Sequence, residues 1–267
     1  MSKVVISLGQ MRIAVGDVGR NYTAAERLIA EAARRGSHLI MLPELWSTGY
    51  ALERANELSS ALNAGIFAQV AKLAKDHNIC VCGSMLEKRG MEVTNSAVFF
   101  SPKGQLMGVY RKIHLFRLMN EHVHLKAGSS PLVMDLPWGP TGVAICYDLR
   151  FPELFRRYAV EGAKMVIIPA EWPIERAEHW TTLLKARAIE NQMYIVAVNN
   201  VGESGGTTFA GQSMIVDPWG KVVVAGGEEP GLFTAEVDFD RVNAIREKIP
   251  VFEDRRPDLY EPLDFRV

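Results

Sequence analysis

Cysteine is scarce in this chain: Cys80, Cys82 and Cys146 are the three thiols in 267 residues. An odd number in a sequence long enough to build its own core argues against a disulfide framework and predicts reduced thiols. No apolar run approaches the roughly 20 residues needed to span a bilayer. The first residues lack the basic, apolar and small-residue succession of a secretory leader, so a soluble, cytoplasmic protein is the expectation. Charge of one sign is also lacking, since 30 Lys and Arg face 31 Asp and Glu for a net charge of -1. That balance leaves no broad basic face for a nucleic acid or an anionic membrane, and favours a small-molecule partner. Linkers, repeats and low-complexity stretches are missing as well, which points to one domain over 1–267. With 48% hydrophobic residues the chain can bury a large core.

Along the chain, strand and helix patterns alternate. VVISLGQM reads as a buried strand, and Ala24, Leu28, Ile29 and Ala32 recur at helical spacing in the segment after it. Thr23 and Glu26 have capping-box spacing, and Gly36 stands where that helix would stop. SHLIMLP then reads as a strand, 61–77 as helical, NICVCGSML as a strand, and EVTNSAVFF with GQLMGVY as a hairpin. Past an irregular stretch come a strand in TGVAIC, a helix in PELFRRYAVEG, a strand in KMVIIP, a helix in ERAEHWTTLLKARAIENQ and a strand in MYIVAVNN. GQSMIV, KVVVAG and LFTAEVD read as closing strands, followed by a short helix near 241–248 and an irregular tail. Helices interleaved with strands, plus hairpins, predict a layered α/β architecture with mixed sheets.

Three polar residues fall at the carboxyl ends of predicted strands: Glu44 after LIMLP, Lys112 after GQLMGVY and Cys146 at the end of TGVAIC. Ligand sites gather at that edge of α/β sheets, so the three can converge. Pro152 can open a helix after Cys146, which places the thiol on a strand-to-helix turn with backbone N–H groups near it. A free thiol is only a few per cent thiolate at neutral pH and needs a base or a cation to attack a carbonyl. An ammonium about 4 Å away favours the thiolate by up to about 4 kcal/mol at an effective dielectric near 20, and a carboxylate opposes it by a similar amount. Near-cancellation predicts a coupled site in which one proton moves between Cys146 and Glu44. Taken singly, each residue has an ordinary explanation: a buried small side chain, a capping acid, a solvated cation.

Taken together, PELWSTGY, YRKIHLF and GVAICYDLRFPEL resemble, in order, the three signature blocks of the nitrilase superfamily of carbon-nitrogen hydrolases. The resemblance continues through EHVHLKAG, ARAIENQMYIVAVNN, GQSMIVDPWG and IPVFEDRRPDLY, and so covers nearly the whole chain. It implies a four-layer α-β-β-α sandwich with two mixed β-sheets, forming a homodimer or larger homo-oligomer with the tail at about 249–267 in the contact. It further implies Glu44 as general base, Cys146 as nucleophile and Lys112 as oxyanion cation, with the Tyr147 N–H as a second oxyanion donor. Glu121, seven residues before Gly128, matches a second family glutamate that positions Lys112 or the amide. No cofactor or metal is implied. The block EWPIERAEHWTTLLKARAIENQ is most similar to ω-amidases, which release ammonia from the terminal amide of α-keto acid amides such as 2-oxoglutaramate through a cysteinyl thioester. For the carboxylate of such a substrate Arg150 and Arg176 are the candidate anchors, with Trp172 as a pocket wall.

Other readings stay open at this point. A deaminated glutathione amidase, an N-carbamoyl amidohydrolase or a true nitrilase would use the same three residues. A Cys-His hydrolase would take His114, His122 or His124 as base, and a metal site would draw on Cys80, Cys82, His122 and His124. A non-catalytic binding protein on the same fold is a further alternative.

Overall fold

The computed structural model describes residues 2–260. Its strands are β1 Lys3–Gln10, β2 Leu39–Met41, β3 Cys80–Arg89, β4 Glu92–Phe100, β5 Leu106–Arg111, β6 Val133–Leu136, β7 Gly139–Val143, β8 Met165–Ala170, β9 Tyr194–Asn199, β10 Val201–Ser204, β11 Thr207–Ala210, β12 Met214–Val216, β13 Val222–Ala225 and β14 Gly231–Asp238. Its helices are α1 Val18–Arg34, α2 Ala55–Leu58, α3 Gly65–Asp76, α4 Glu121–His124, α5 Pro152–Val160, α6 Ala177–Asn191, α7 Asp240–Lys248 and α8 Pro257–Tyr260.

Two six-stranded sheets form, one ordered β14-β1-β2-β3-β4-β5 and the other β13-β12-β9-β8-β7-β6. Each has parallel strands at its centre and antiparallel strands toward its edges. The period of two along the strands decides the layering. Val4, Ile6 and Leu8 of β1, Leu39 and Met41 of β2, and Cys80 and Cys82 of β3 share a core with the second sheet. Ile40, Val81, Val98 and Phe100 instead pack against Ile29 and Ala32 of α1 and Phe67, Val70 and Leu73 of α3. On the far side, Phe155 and Tyr158 of α5 and Trp180 and Leu184 of α6 cover the second sheet. The result is the expected α-β-β-α sandwich of two mixed sheets.

Several local expectations are corrected. Helix α1 starts five residues before Thr23, because the Asp17 carboxylate accepts the Arg20 N–H at 3.0 Å and so caps it. Thr23 lies inside the helix and donates back to the Gly19 carbonyl. Gly36 does end the run, at φ +73°. Strand β7 stops at Val143, short of Cys146. Strand β6 and the β10–β11 hairpin also escaped the sequence reading, although Gly205-Gly206 is a two-residue hairpin signal. Of the tail expected in a dimer contact, Phe252 lies beneath the guanidinium groups of Arg156 and Arg246, at 5.5 and 4.9 Å. Residues 261–267 of that tail lie outside the described residues. Among the described residues no helix is long and apolar enough to cross a membrane.

Candidate active site

The carboxyl ends of β2 and β8, one from each sheet, meet where the site forms. The Glu44 N–H reaches the Ala170 carbonyl at 3.4 Å, and the Glu171 N–H returns a bond to Glu44 Oε2 at 3.0 Å. Glu44 is fully buried, and its Oε1 accepts from Asn95 on β4 and from Lys112, both at 2.7 Å. Lys112 continues the β4–β5 ladder, its N–H bonding the Asn95 carbonyl at 2.9 Å.

The Lys112 ammonium also donates to Glu121 Oε1 at 2.6 Å. Glu121 is itself fixed by Tyr50, whose hydroxyl donates to Oε1 at 2.6 Å, and by the Phe116 N–H, which donates to Oε2 at 2.9 Å. Gly128 lets the chain close after Glu121: its N–H bonds the Lys112 carbonyl, and a Cβ there would come within 2.1 Å of the Arg111 carbonyl oxygen. Burial alone would push the Lys112 ammonium down, but Glu121 and Glu44 outweigh it and raise it above the usual lysine range. Burial raises the Glu121 carboxyl, and Lys112 holds part of that rise back.

Cys146 opens a one-turn 3-10 helix, Cys146–Arg150, at φ +44°. That left-handed conformation costs about 1–3 kcal/mol for a residue with a Cβ and must be imposed from outside. Asp148 imposes it. Its buried carboxylate accepts the Ile145 N–H at 2.8 Å, the Tyr110 hydroxyl at 2.7 Å and the His114 N–H at 3.1 Å, and it pairs with His114 Nδ1 at 2.7 Å. The sulfur sits 3.8 Å from the Glu171 carbonyl oxygen, so one residue holds both the thiol and Glu44. Burial first, then Glu44, push the thiol well above its ordinary range, and Lys112 offsets only part of this. The expectation from the two charges left out burial, which pushes the thiol in the same direction as Glu44.

A pocket opens on the sulfur, lined by Tyr147, Arg150, Trp172, Arg176, Phe116 and Glu171 among others. The Arg150 guanidinium lies 4.8 Å from the Trp172 ring and bonds His179 at 3.2 Å, not an acid. Arg176 stacks 5.6 Å from Phe116, and its carbonyl accepts the Trp172 indole N–H at 2.7 Å. The Trp172 N–H is bonded to Asn199 Oδ1 at 2.6 Å, which fixes this wall.

All eight sequence-predicted residues thus fall in or around one cavity. The sequence reading missed Tyr50, Asn95, Asp148 and Glu171. Glu171 carried a legible signal, since it follows the apolar strand VIIPA as Glu44 follows LIMLP. His114 does have an orienting acid, Asp148, and stacks 3.6 Å from Phe151, but it is not among the residues lining the Cys146 pocket. Cys80 and Cys82 face the inter-sheet core, where burial pushes the Cys80 thiol up to about 12, while His122 is exposed. Among the described residues no group of three or more His, Cys, Asp or Glu is placed to hold a metal.

Comparison with known proteins gives the chain a lineage. A 2-oxoglutaramate amidase from Bacillus subtilis is 41% identical over 259 residues, covering 97% of this chain and all of that one. A CN-hydrolase superfamily protein from Xanthomonas campestris, solved with an arsenic adduct in its active site, superposes with a TM-score of 0.90 at 30% identity, covering 96% of this chain and 98% of that one. A mutant of an amidase from Nesterenkonia, solved with the acetamide moiety of fluoroacetamide added covalently at its active-site cysteine, has a TM-score of 0.86 at 26% identity, covering 96% of this chain and 95% of that one. The carbon-nitrogen hydrolase family model matches residues 5–247. The chain belongs to the carbon-nitrogen hydrolase family and is an amide-hydrolysing enzyme.

Proposed function

We propose that this enzyme hydrolyses the terminal amide of a small ω-amido α-keto acid such as 2-oxoglutaramate, through a thioester on Cys146. One observation carries the reading: Glu44, Lys112 and Glu121 form a continuous hydrogen-bonded, water-excluded cluster beside a thiol at the base of a pocket that holds two guanidinium groups. The amide carbon is attacked by sulfur as Glu44 takes the thiol proton. An ammonium has three N–H donors. Two of those on Lys112 bind Glu44 and Glu121, and the third serves the developing oxyanion together with the Tyr147 N–H. Glu44 then passes its proton to the departing nitrogen, releasing ammonia, and activates the water that converts the thioester to acid and free thiol. No step calls for a metal or cofactor.

Arg150 or Arg176 would anchor the substrate carboxylate, against a wall made by Trp172. The activity named for the Bacillus subtilis relative agrees. The same reading treats 1–267 as one catalytic domain working in the cytoplasm as a homodimer, with the tail in the contact.

Ammonia release from 2-oxoglutaramate, glutamine and deaminated glutathione tests it. Wild type should show its highest kcat/KM with 2-oxoglutaramate, and Cys146→Ala should release none. Unchanged turnover in Cys146→Ala ends the reading, and a preference for deaminated glutathione moves it to that amidase class.

A further inference from the structure

Glu171 follows β8 and is 1% exposed. Its backbone serves the site already described, but its side chain has no part in the steps above. Asn200 donates to Oε2 at 2.7 Å, whereas Oε1 has no hydrogen-bond partner among the described residues. A buried carboxyl oxygen left unpaired is costly, so a partner for it is to be sought in a ligand or a bound water. Glu171 lines the Cys146 pocket, and it also lines a second cavity bounded by Tyr50, Arg54, Ser204, Thr207 and Phe209.

The groups facing it set its protonation. Glu44, Glu121 and Glu171 are three buried carboxyl groups around one ammonium, Lys112. Burial, then Glu44, push Glu171 well above the usual carboxylate range, against the smaller opposing effects of the Asn200 N–H and Lys112. The geometry suits a neutral acid: Lys112 is engaged by Glu44 and Glu121, Oε2 accepts from Asn200, and the hydrogen of a neutral acid would sit on Oε1, which has no acceptor among the described residues.

Resting on the reading of the function given above, we propose that Glu171 determines specificity: its unpaired Oε1–H donates a hydrogen bond to the α-keto oxygen of the ω-amido acid. A ketone oxygen only accepts, and an α-ammonium only donates. A neutral acid with its hydrogen facing the substrate therefore favours 2-oxoglutaramate over glutamine, and an ionised carboxylate would favour the reverse. The guanidinium groups of Arg150 and Arg176 suit the substrate carboxylate, which leaves the keto oxygen as the polar atom still in need of a donor.

The test uses the full chain as wild type, Glu171→Gln and Glu171→Met. Initial rates are measured with 2-oxoglutaramate, with glutaramate (the same acid without the keto oxygen) and with glutamine. Glu171→Gln, whose amide still donates, should keep kcat/KM for 2-oxoglutaramate within about threefold of wild type. Glu171→Met should lose about 10- to 100-fold on 2-oxoglutaramate, as expected for one lost hydrogen bond to substrate, and less than about threefold on glutaramate. Equal losses on both acids, or a Glu171→Gln variant as poor as Glu171→Met, overturn the proposal.

Thermal melting provides a readout independent of turnover, and it remains available if Glu171→Met does not fold. A carboxyl raised on folding stabilises the native state below its unfolded pKa of about 4.3, and that contribution is lost as pH rises toward the folded value. The Tm of Glu171→Gln, which does not titrate, should therefore rise relative to wild type between pH 5 and pH 7. A pH-independent difference overturns the proposal as well. If wild type releases no ammonia from 2-oxoglutaramate, the functional reading itself has failed. If wild type is active but the variants show no substrate contrast, only the role of Glu171 has.

Discussion

Lys112 sits between two carboxylates with its ammonium wholly out of water, and this position gives it two duties at once. It compensates buried negative charge in the resting protein, and in the proposed reaction it meets a third negative oxygen. Removing one partner of a buried ion pair costs about 3–5 kcal/mol because the other charge is left uncompensated. Lys112→Ala should therefore lose about 10²- to 10³-fold in kcat, the usual cost of one oxyanion donor, and should also unfold at a lower urea concentration. Loss of an oxyanion donor by itself leaves a fold intact; the buried Glu44–Lys112–Glu121 geometry adds the loss of stability. Equilibrium urea unfolding beside single-turnover kinetics separates the two effects, and near-normal kcat would remove Lys112 from the oxyanion role. At this scale the sequence was most informative where side-chain type and strand-end position coincided, as for Glu44 and Lys112. It was least informative for Tyr50 and Asn95, whose importance comes from the partners that the fold supplies.

Asp148 acts through an element, the turn that carries Cys146. It draws together the end of β7, β5 through Tyr110 and the following loop through His114, and so specifies a backbone conformation that cysteine does not adopt unaided. Asp148→Ala would leave several buried donors unpaired, at about 1–3 kcal/mol for each unmade bond before relaxation. The expected outcome is a destabilisation on the order of 3 kcal/mol together with a fall in kcat of at least about tenfold, because the sulfur is no longer presented in its left-handed turn. If kcat holds while stability falls, the turn keeps its shape without Asp148 and this account of the nucleophile's placement is wrong. The sequence located this turn through Pro152, which does open α5, but misplaced the strand end by three residues. Local propensity cannot show that Asp148 will bond backward to Ile145. The same limit explains α1, where Thr23 and Glu26 satisfied a local pattern and Asp17 made the bond.

The two sheets share one core over the whole molecule, since β1, β2 and β3 bury one face against the strands of the second sheet. Neither sheet keeps that face covered alone, so unfolding should be a single cooperative transition despite the chain's length. Tryptophan reports on both halves: Trp46 lies in the core under α1 and α3, and Trp180 of α6 covers the far face of the second sheet. Denaturation followed by tryptophan fluorescence and by far-UV circular dichroism should therefore give coincident midpoints, and separated midpoints would mean that the sheets melt independently. By itself the sequence determined the alternation of strands and helices, the class of architecture and the three residues at strand ends, because periodicity and the exit of chain from a sheet are local properties. The tertiary structure alone decided the direction in which burial and Glu44 push the thiol, the partners of Glu44 and Lys112, and the unpaired oxygen of Glu171. These depend on dielectric and on distances between segments far apart in the chain, and only the packing of one sheet on the other sets them.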